Sequence, residues 1–142
     1  MASTSPFHLA FTVRDIGETR AFFGGLLGCA EGFVSDTRVD FDFFGNHLVA
    51  HVRRDTAPVA GNIQTDEQRI PLPHFGVILD LAAWETLAER LRGQGTKFLL
   101  EPRVRGKGAH EQAVMFLTDP SGNTFEFKGL KDPTPAQLLA RR

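Results

Sequence analysis

From Phe7 the chain reads FHLAFTV, in which Phe7, Leu9, Phe11 and Val13 alternate with His8, Ala10 and Thr12. A period of two sends alternate side chains to opposite faces of a strand, so His8 is predicted to point away from the large apolar groups. Asp15, with Glu18 three residues later, has the form of a helix N-cap and capping box. Ile16, Phe22, Phe23, Leu26 and Leu27 then make a helical stripe that ends at Gly28. Gly24 and Gly25 weaken this helix, because glycine loses more backbone freedom than other residues on becoming helical.

The same order returns later in the chain. HFGVILD, from His74 to Asp80, has the length and composition of a strand, and Trp84, Leu87, Ala88 and Leu91 follow at i, i+3, i+4 and i+7 before Gly93 and Gly95. Three strand-like runs come after each helix: Cys29 to Val34, Val39 to Phe44 and His47 to Val52, then Lys97 to Leu100, Ala113 to Thr118 and Thr124 to Lys128. Gly45-Asn46 and Gly122-Asn123 stand at matching turns before the last strand of each half. The pattern reads as an internal duplication, an α+β protein of two tandem βαβββ modules. Module one covers about 6–53, a polar linker with Pro58, Gly61 and Pro71 about 54–72, and module two about 73–130. Thr134-Pro135 opens a short C-terminal helix over about 134–142. Glu101 to Glu111 reads as a longer loop of the second half, in which Arg103, Arg105, Lys107 and His110 flank Gly106 and Gly108 as a lid or as a solvated basic loop.

With 142 residues, 42% of them hydrophobic, the chain can bury the core of one compact domain or of two small modules sharing a core. Lys and Arg number 16 against 17 Asp and Glu, so the strong positive field of a dedicated nucleic-acid binder is missing. The single Cys29 can make neither an intramolecular disulfide nor a thiolate cluster, which fits a reducing cytoplasm. The opening MASTSP does not have the form of a signal peptide, and no apolar run approaches the ~20 residues of a membrane helix, so no membrane association is expected. There are 13 Phe and no Tyr, which excludes any mechanism that needs a phenolic acid.

Two βαβββ halves of this size, with a His in the first strand of each and DPSGNTFEFK closing the second, resemble the vicinal oxygen chelate superfamily of glyoxalases, bleomycin-resistance proteins and extradiol dioxygenases. The resemblance covers nearly the whole chain and implies a curved mixed-sheet cup with the helices outside. It also implies metal ligands on the first and last strands, and a cup completed within one chain or by exchange of halves across a homodimer. The residues fit that arrangement independently: His8, His74 and Glu126 each lie on the strand face opposite Phe7 and Leu9, Phe75 and Val77, or Phe125 and Phe127. Two imidazoles and one carboxylate suit non-haem Fe(II), and Mn(II), Ni(II) or Zn(II) also accept the set.

Each of these residues also has a plainer role. One His on a strand is more often a hydrogen-bonded structural residue than a ligand, and it is the three residues in a duplicated frame that point to metal. His47 and His51 share a strand face with Val49, and counting from the two Asn turns sets Val49, not a histidine, opposite Glu126. His51 is the candidate general base, with a fourth metal ligand and a structural residue as the other readings. Asp40 and Asp42 alternate with Phe41 and Phe43, a pattern that more often meets solvent or pairs with nearby Arg or Lys, and both are left out of the site. Asp119 to Gly122 is a turn that needs no further role.

The resemblance implies a small-molecule enzyme. The first expectation is an extradiol-dioxygenase-like reaction in which Fe(II) chelates vicinal oxygens of the substrate, although the family's aromatic-ring dioxygenases use a Tyr that this chain does not have. The second is a redox-neutral lyase, isomerase or transferase of glyoxalase or fosfomycin-resistance type. The third is a metal-free binding protein that confers resistance by sequestering a small ligand.

Overall fold

The computed structural model describes residues 5–53, 61–64, 68–108, 111–134 and 138–139. The chain divides into two compact units, Met1–Pro58 with Asp119–Gly122, and Val59–Thr118 with Asn123–Arg142. Each unit carries one βαβββ module.

In the first unit β1 (His8–Val13) leads into α1 (Ile16–Arg20), and β2 (Ala30–Val34), β3 (Arg38–Phe43) and β4 (Asn46–Val52) follow. The sheet order is β1-β4-β3-β2, with β1 parallel to β4 and the other pairs antiparallel. Asp15 caps α1 by accepting from the Glu18 amide at 2.8 Å. At Ala21 the helix widens into a π-helical stretch that runs to Leu26. This is where Gly24 and Gly25 weaken the α-helical pattern, and the wider turn lets the consecutive Phe22 and Phe23 both be buried. Phe23 is fully buried among the rings of Phe11, Phe22 and Phe41, at 5.7, 5.0 and 5.1 Å between centroids. Phe7, expected to extend the apolar face of β1, instead lies before the strand and is exposed.

In the second unit β5 (Gly61–Gln64) and β6 (Arg69–Leu72) form a two-stranded ribbon within the stretch that the sequence marks as a polar linker. Next come β7 (Phe75–Asp80), α2 (Leu81–Gly93), β8 (Phe98–Arg105), β9 (Gln112–Thr118) and β10 (Thr124–Leu130), in the sheet order β7-β10-β9-β8. Asp80 caps α2 through the Ala83 amide at 2.9 Å, the counterpart of Asp15 on α1. The helix buries Trp84, Leu87, Ala88 and Leu91, the stripe read from the sequence. Trp84 reaches into the sheet, donating its indole N–H to the Phe127 carbonyl at 2.9 Å. Gly129 makes room for it, since a β-carbon there would lie 2.7 Å from Trp84 Cβ.

The basic segment read as a loop from Glu101 is largely strand, because β8 continues to Arg105, and His110 lies outside the described residues. The expected C-terminal helix falls mostly outside them too, although the Leu138 amide donates to the Thr134 carbonyl at 3.0 Å. Among the described residues no helix is long and apolar enough to cross a membrane.

Gly76 is the tightest point of the second sheet. It stands opposite Glu126 in the parallel β7/β10 pair, and a β-carbon on it would fall 1.6 Å from the Glu126 carbonyl oxygen. Such an overlap is with backbone, so no side-chain rotation relieves it. Gly76→Ala is expected to lower the unfolding free energy by about 3 kcal/mol or more in urea titrations. Gly93→Ala, where nothing lies within 4 Å, is expected to be neutral or slightly stabilising.

Candidate metal centre

In the second unit His74 sits immediately before β7, and its Nδ1 lies 2.9 Å from the Pro71 carbonyl at the end of the ribbon. A carbonyl only accepts, so Nδ1 carries a proton and Nε2 is turned toward another partner. That Nε2 is 3.3 Å from Glu126 Oε2, and both side chains are partly accessible, at 17% and 16%. Glu126 rises from the middle of β10 between Phe125 and Phe127, both with no exposure at all. Lys128, two residues on and on the same face, holds its ammonium 3.8 Å from Glu126 Oε1.

The floor beside this pair is apolar. Phe116 is paired with Glu126 across β9 and β10 and meets the His74 ring edge-on at 5.1 Å. Ile70 of β6 packs with Leu100, Val114 and Phe116 into a second small core on the Glu126 side of the sheet. The ribbon therefore does two things for His74: it supplies the carbonyl that fixes the ring, and it covers the sheet next to it.

In the first unit His8 and His47 face each other across the parallel β1/β4 pair, with Nδ1 atoms 2.8 Å apart and rings stacked at 4.8 Å. His47 Nε2 lies 2.9 Å from Asp40 Oδ2, and Arg38 donates to both Asp40 oxygens, at 2.7 and 2.9 Å. The Arg38 hydrogen bond, with His47 adding to it against the cost of burial, holds the Asp40 carboxyl down to about 2. Asp40 thus belongs to the polar face that carries His8, where the sequence pattern alone gave no reason to include it. Its partner is diagonal, since Asp40 is in register with Val49 and not with His47.

Of the residues singled out from sequence, His74 and Glu126 meet in one unit, and His8 meets His47 in the other. Among the described residues no three His, Cys, Asp or Glu side chains form a group that could hold a metal. Val49 pairs with Ala10 as Glu126 pairs with Gly76, two residues past His8 and His74 respectively. His51 is exposed on β4, in register with Thr12. Four residues of strand, roughly 13 Å of travel, separate it from the level of His47.

The model of the glyoxalase/bleomycin resistance protein/dioxygenase superfamily matches residues 5–127. A search of curated proteins gives no match. Among solved structures, a glyoxalase/bleomycin resistance protein/dioxygenase from Alicyclobacillus acidocaldarius is 30% identical, with a TM-score of 0.74 over 90% of this chain and 92% of that one. A Glu-to-Gln mutant of a fosfomycin resistance protein, FosX, from Listeria monocytogenes, in complex with Mn(II) and 1S,2S-dihydroxypropylphosphonic acid, shares the fold at 18% identity, with a TM-score of 0.66 over 99% and 98% of the two chains. A protein from the mobile metagenome of V. Pseudocholerae matches at 24% identity and a TM-score of 0.61, over 93% and 98%.

Asp40 sets an acid limit on the first unit. Its folded pKa lies below the ordinary 3.8, so the stability it contributes is present above that value and is lost as pH falls towards about 2. Urea midpoints measured across that window should fall steeply for the wild type and less steeply for Asp40→Asn. Equal slopes would mean that the ion pair does not stabilise the fold.

Proposed function

The chain belongs to the glyoxalase/bleomycin resistance protein/dioxygenase superfamily, and from that premise we propose that it is a metal-dependent enzyme acting on a small substrate with adjacent oxygens, its ion held by His8, His74 and Glu126. The observation that carries this reading is the His74–Glu126 pair. With Nδ1 donating to Pro71, His74 turns Nε2 toward a carboxylate oxygen at 3.3 Å, two atoms that a single proton or, in its place, a metal cation can bridge. Ligand bonds of about 2.1 Å meeting near a right angle put donor atoms roughly 3 Å apart, so the pair has the bite of a single ion. His8 is the third ligand, contributed by the same chain or by a second copy. A bound divalent ion supplies Lewis acidity and positive charge for oxygens chelated side by side.

This chain's own residues bear on which reaction follows. Lys128 adds a positive charge beside Glu126, which favours a substrate carrying an acidic group, and the absence of Tyr leaves proton transfer to His, carboxylate or water. Both features favour the redox-neutral reading, a lyase, isomerase or transferase. The FosX relative holds Mn(II) and a dihydroxyphosphonate, a chelating acid of that kind. The oxidative, extradiol-like reading rests on the ligand set, which suits Fe(II). His51 serves as base only for a substrate long enough to follow β4 away from His8.

Protein purified anaerobically without chelator is expected to carry or take up one Mn(II) or Fe(II) per ligand set, measured by plasma mass spectrometry and calorimetric titration. Glu126→Gln keeps the shape but removes the one anionic ligand, and is expected to weaken the ion at least tenfold. A wild type that binds no ion would leave the metal-free binding protein as the better account, and a Glu126→Gln variant that binds as a metal-loaded wild type does would remove Glu126 from the ligand set. An oxygen electrode run against catechols and against hydroxy and epoxy phosphonates separates the two chemistries.

For His51→Ala, unchanged metal content with turnover lost on the active substrate supports the base. Loss of metal would make His51 a ligand, and wild-type values of both would make it structural.

A further inference from the structure

We propose that His47 is a positioning residue for His8: it accepts a hydrogen bond from the His8 Nδ1–H and thereby presents His8 Nε2, as a lone pair, to the metal. The inference rests on the assignment of His8 as a ligand.

The argument runs along a row of hydrogen bonds on one sheet face. Arg38 donates to both oxygens of Asp40, and a carboxylate so held can only accept. The third contact of that carboxylate is His47 Nε2 at 2.9 Å, so Nε2 bears the proton of a neutral His47. Nδ1 of the same ring is then bare, and the atom facing it at 2.8 Å, His8 Nδ1, must be the donor. A neutral imidazole has one N–H, so His8 keeps a lone pair at Nε2. Register makes the contact a fixed one, because His8 and His47 are direct partners in the parallel β1/β4 pair. The rings are also stacked with 26° between their planes, which limits rotation of either.

The second unit reaches the same end by other means. There the Pro71 carbonyl takes the Nδ1 proton of His74, and the residue at the place of His47, the first after the turn asparagine, is Thr124. Both candidate imidazoles thus present Nε2, one through a backbone acceptor and one through the side-chain row Arg38–Asp40–His47. A ring whose far nitrogen is held in this way is a better ligand, and removing the holder commonly weakens metal binding 10- to 100-fold.

The test uses the intact chain labelled with 15N-histidine. Long-range 1H–15N spectra of the metal-free protein at mildly alkaline pH report which nitrogen of His8 carries the proton. Wild type is expected to show Nδ1–H and a bare Nε2 on His8. His47→Leu should lose that bias and bind Mn(II) 10- to 100-fold more weakly, while His47→Asn, whose side-chain oxygen stands near the place of Nδ1, should restore most of both. His8 protonated on Nε2 in the wild type, or a His47→Leu variant with unchanged tautomer and affinity, overturns the inference. Failure of the metal reading is a separate result: wild type shows the Nδ1–H tautomer yet binds no Mn(II), in which case the row would have no ligand to position and the inference falls with it. Thermal melts of each variant distinguish loss of the row from loss of the fold.

Discussion

The parallel pairing of the first and last strands of each module is the constraint on which the rest of the molecule depends. Two parallel strands cannot be joined by a hairpin, so the chain must leave β1 through α1 and β7 through α2 and return by way of the antiparallel strands. The helices can then cover only one face of each sheet, and that face takes Phe11, Phe41, Phe125 and Phe127 together with Trp84. The other face keeps the polar groups, with His8 beside His47 in one sheet and His74 close to Glu126 in the other. In the second unit the strands come so close that the residue opposite Glu126 has to be glycine.

Much of this was legible from alternation alone. Phe125, Glu126 and Phe127 differ so sharply in polarity that their facing follows from a period of two, and the helical stripe from Trp84 to Leu91 follows likewise from its spacing. What could not be read depends on neighbours distant in the chain. The bond from His47 to Asp40 is a diagonal across β3 and β4, and nothing local to Asp40 distinguishes it from Asp42, whose carboxylate instead takes the Gly45 amide in the turn. The ribbon is not legible, because a short polar stretch with two prolines resembles a linker, and Ile70, fully buried against Phe116, shows what it covers. The charge and glycines after Glu101 have the form of a loop, whereas the backbone there is paired with β9 as far as Arg105.

The duplication fixed the frame of the two halves and left their chemistry free to diverge. At the same pseudo-equivalent position one half has Val49, fully buried, and the other has Glu126. The two candidate imidazoles are likewise held differently, and the difference is one of vulnerability: a backbone carbonyl at Pro71 survives most substitutions, whereas the row through Asp40 is lost with any of its members.

The antiphase of β10 also sets how this protein can change over generations. Adding or deleting a single residue between Asn123 and Glu126 would turn the strand over, putting a carboxylate where the helix packs and phenyl rings on the face that carries His74. Replacing Glu126 in place leaves Phe125 and Phe127 where they are. New reactions on this scaffold are therefore reached by exchanging letters within the strands, and changes of length are confined to the segments between them.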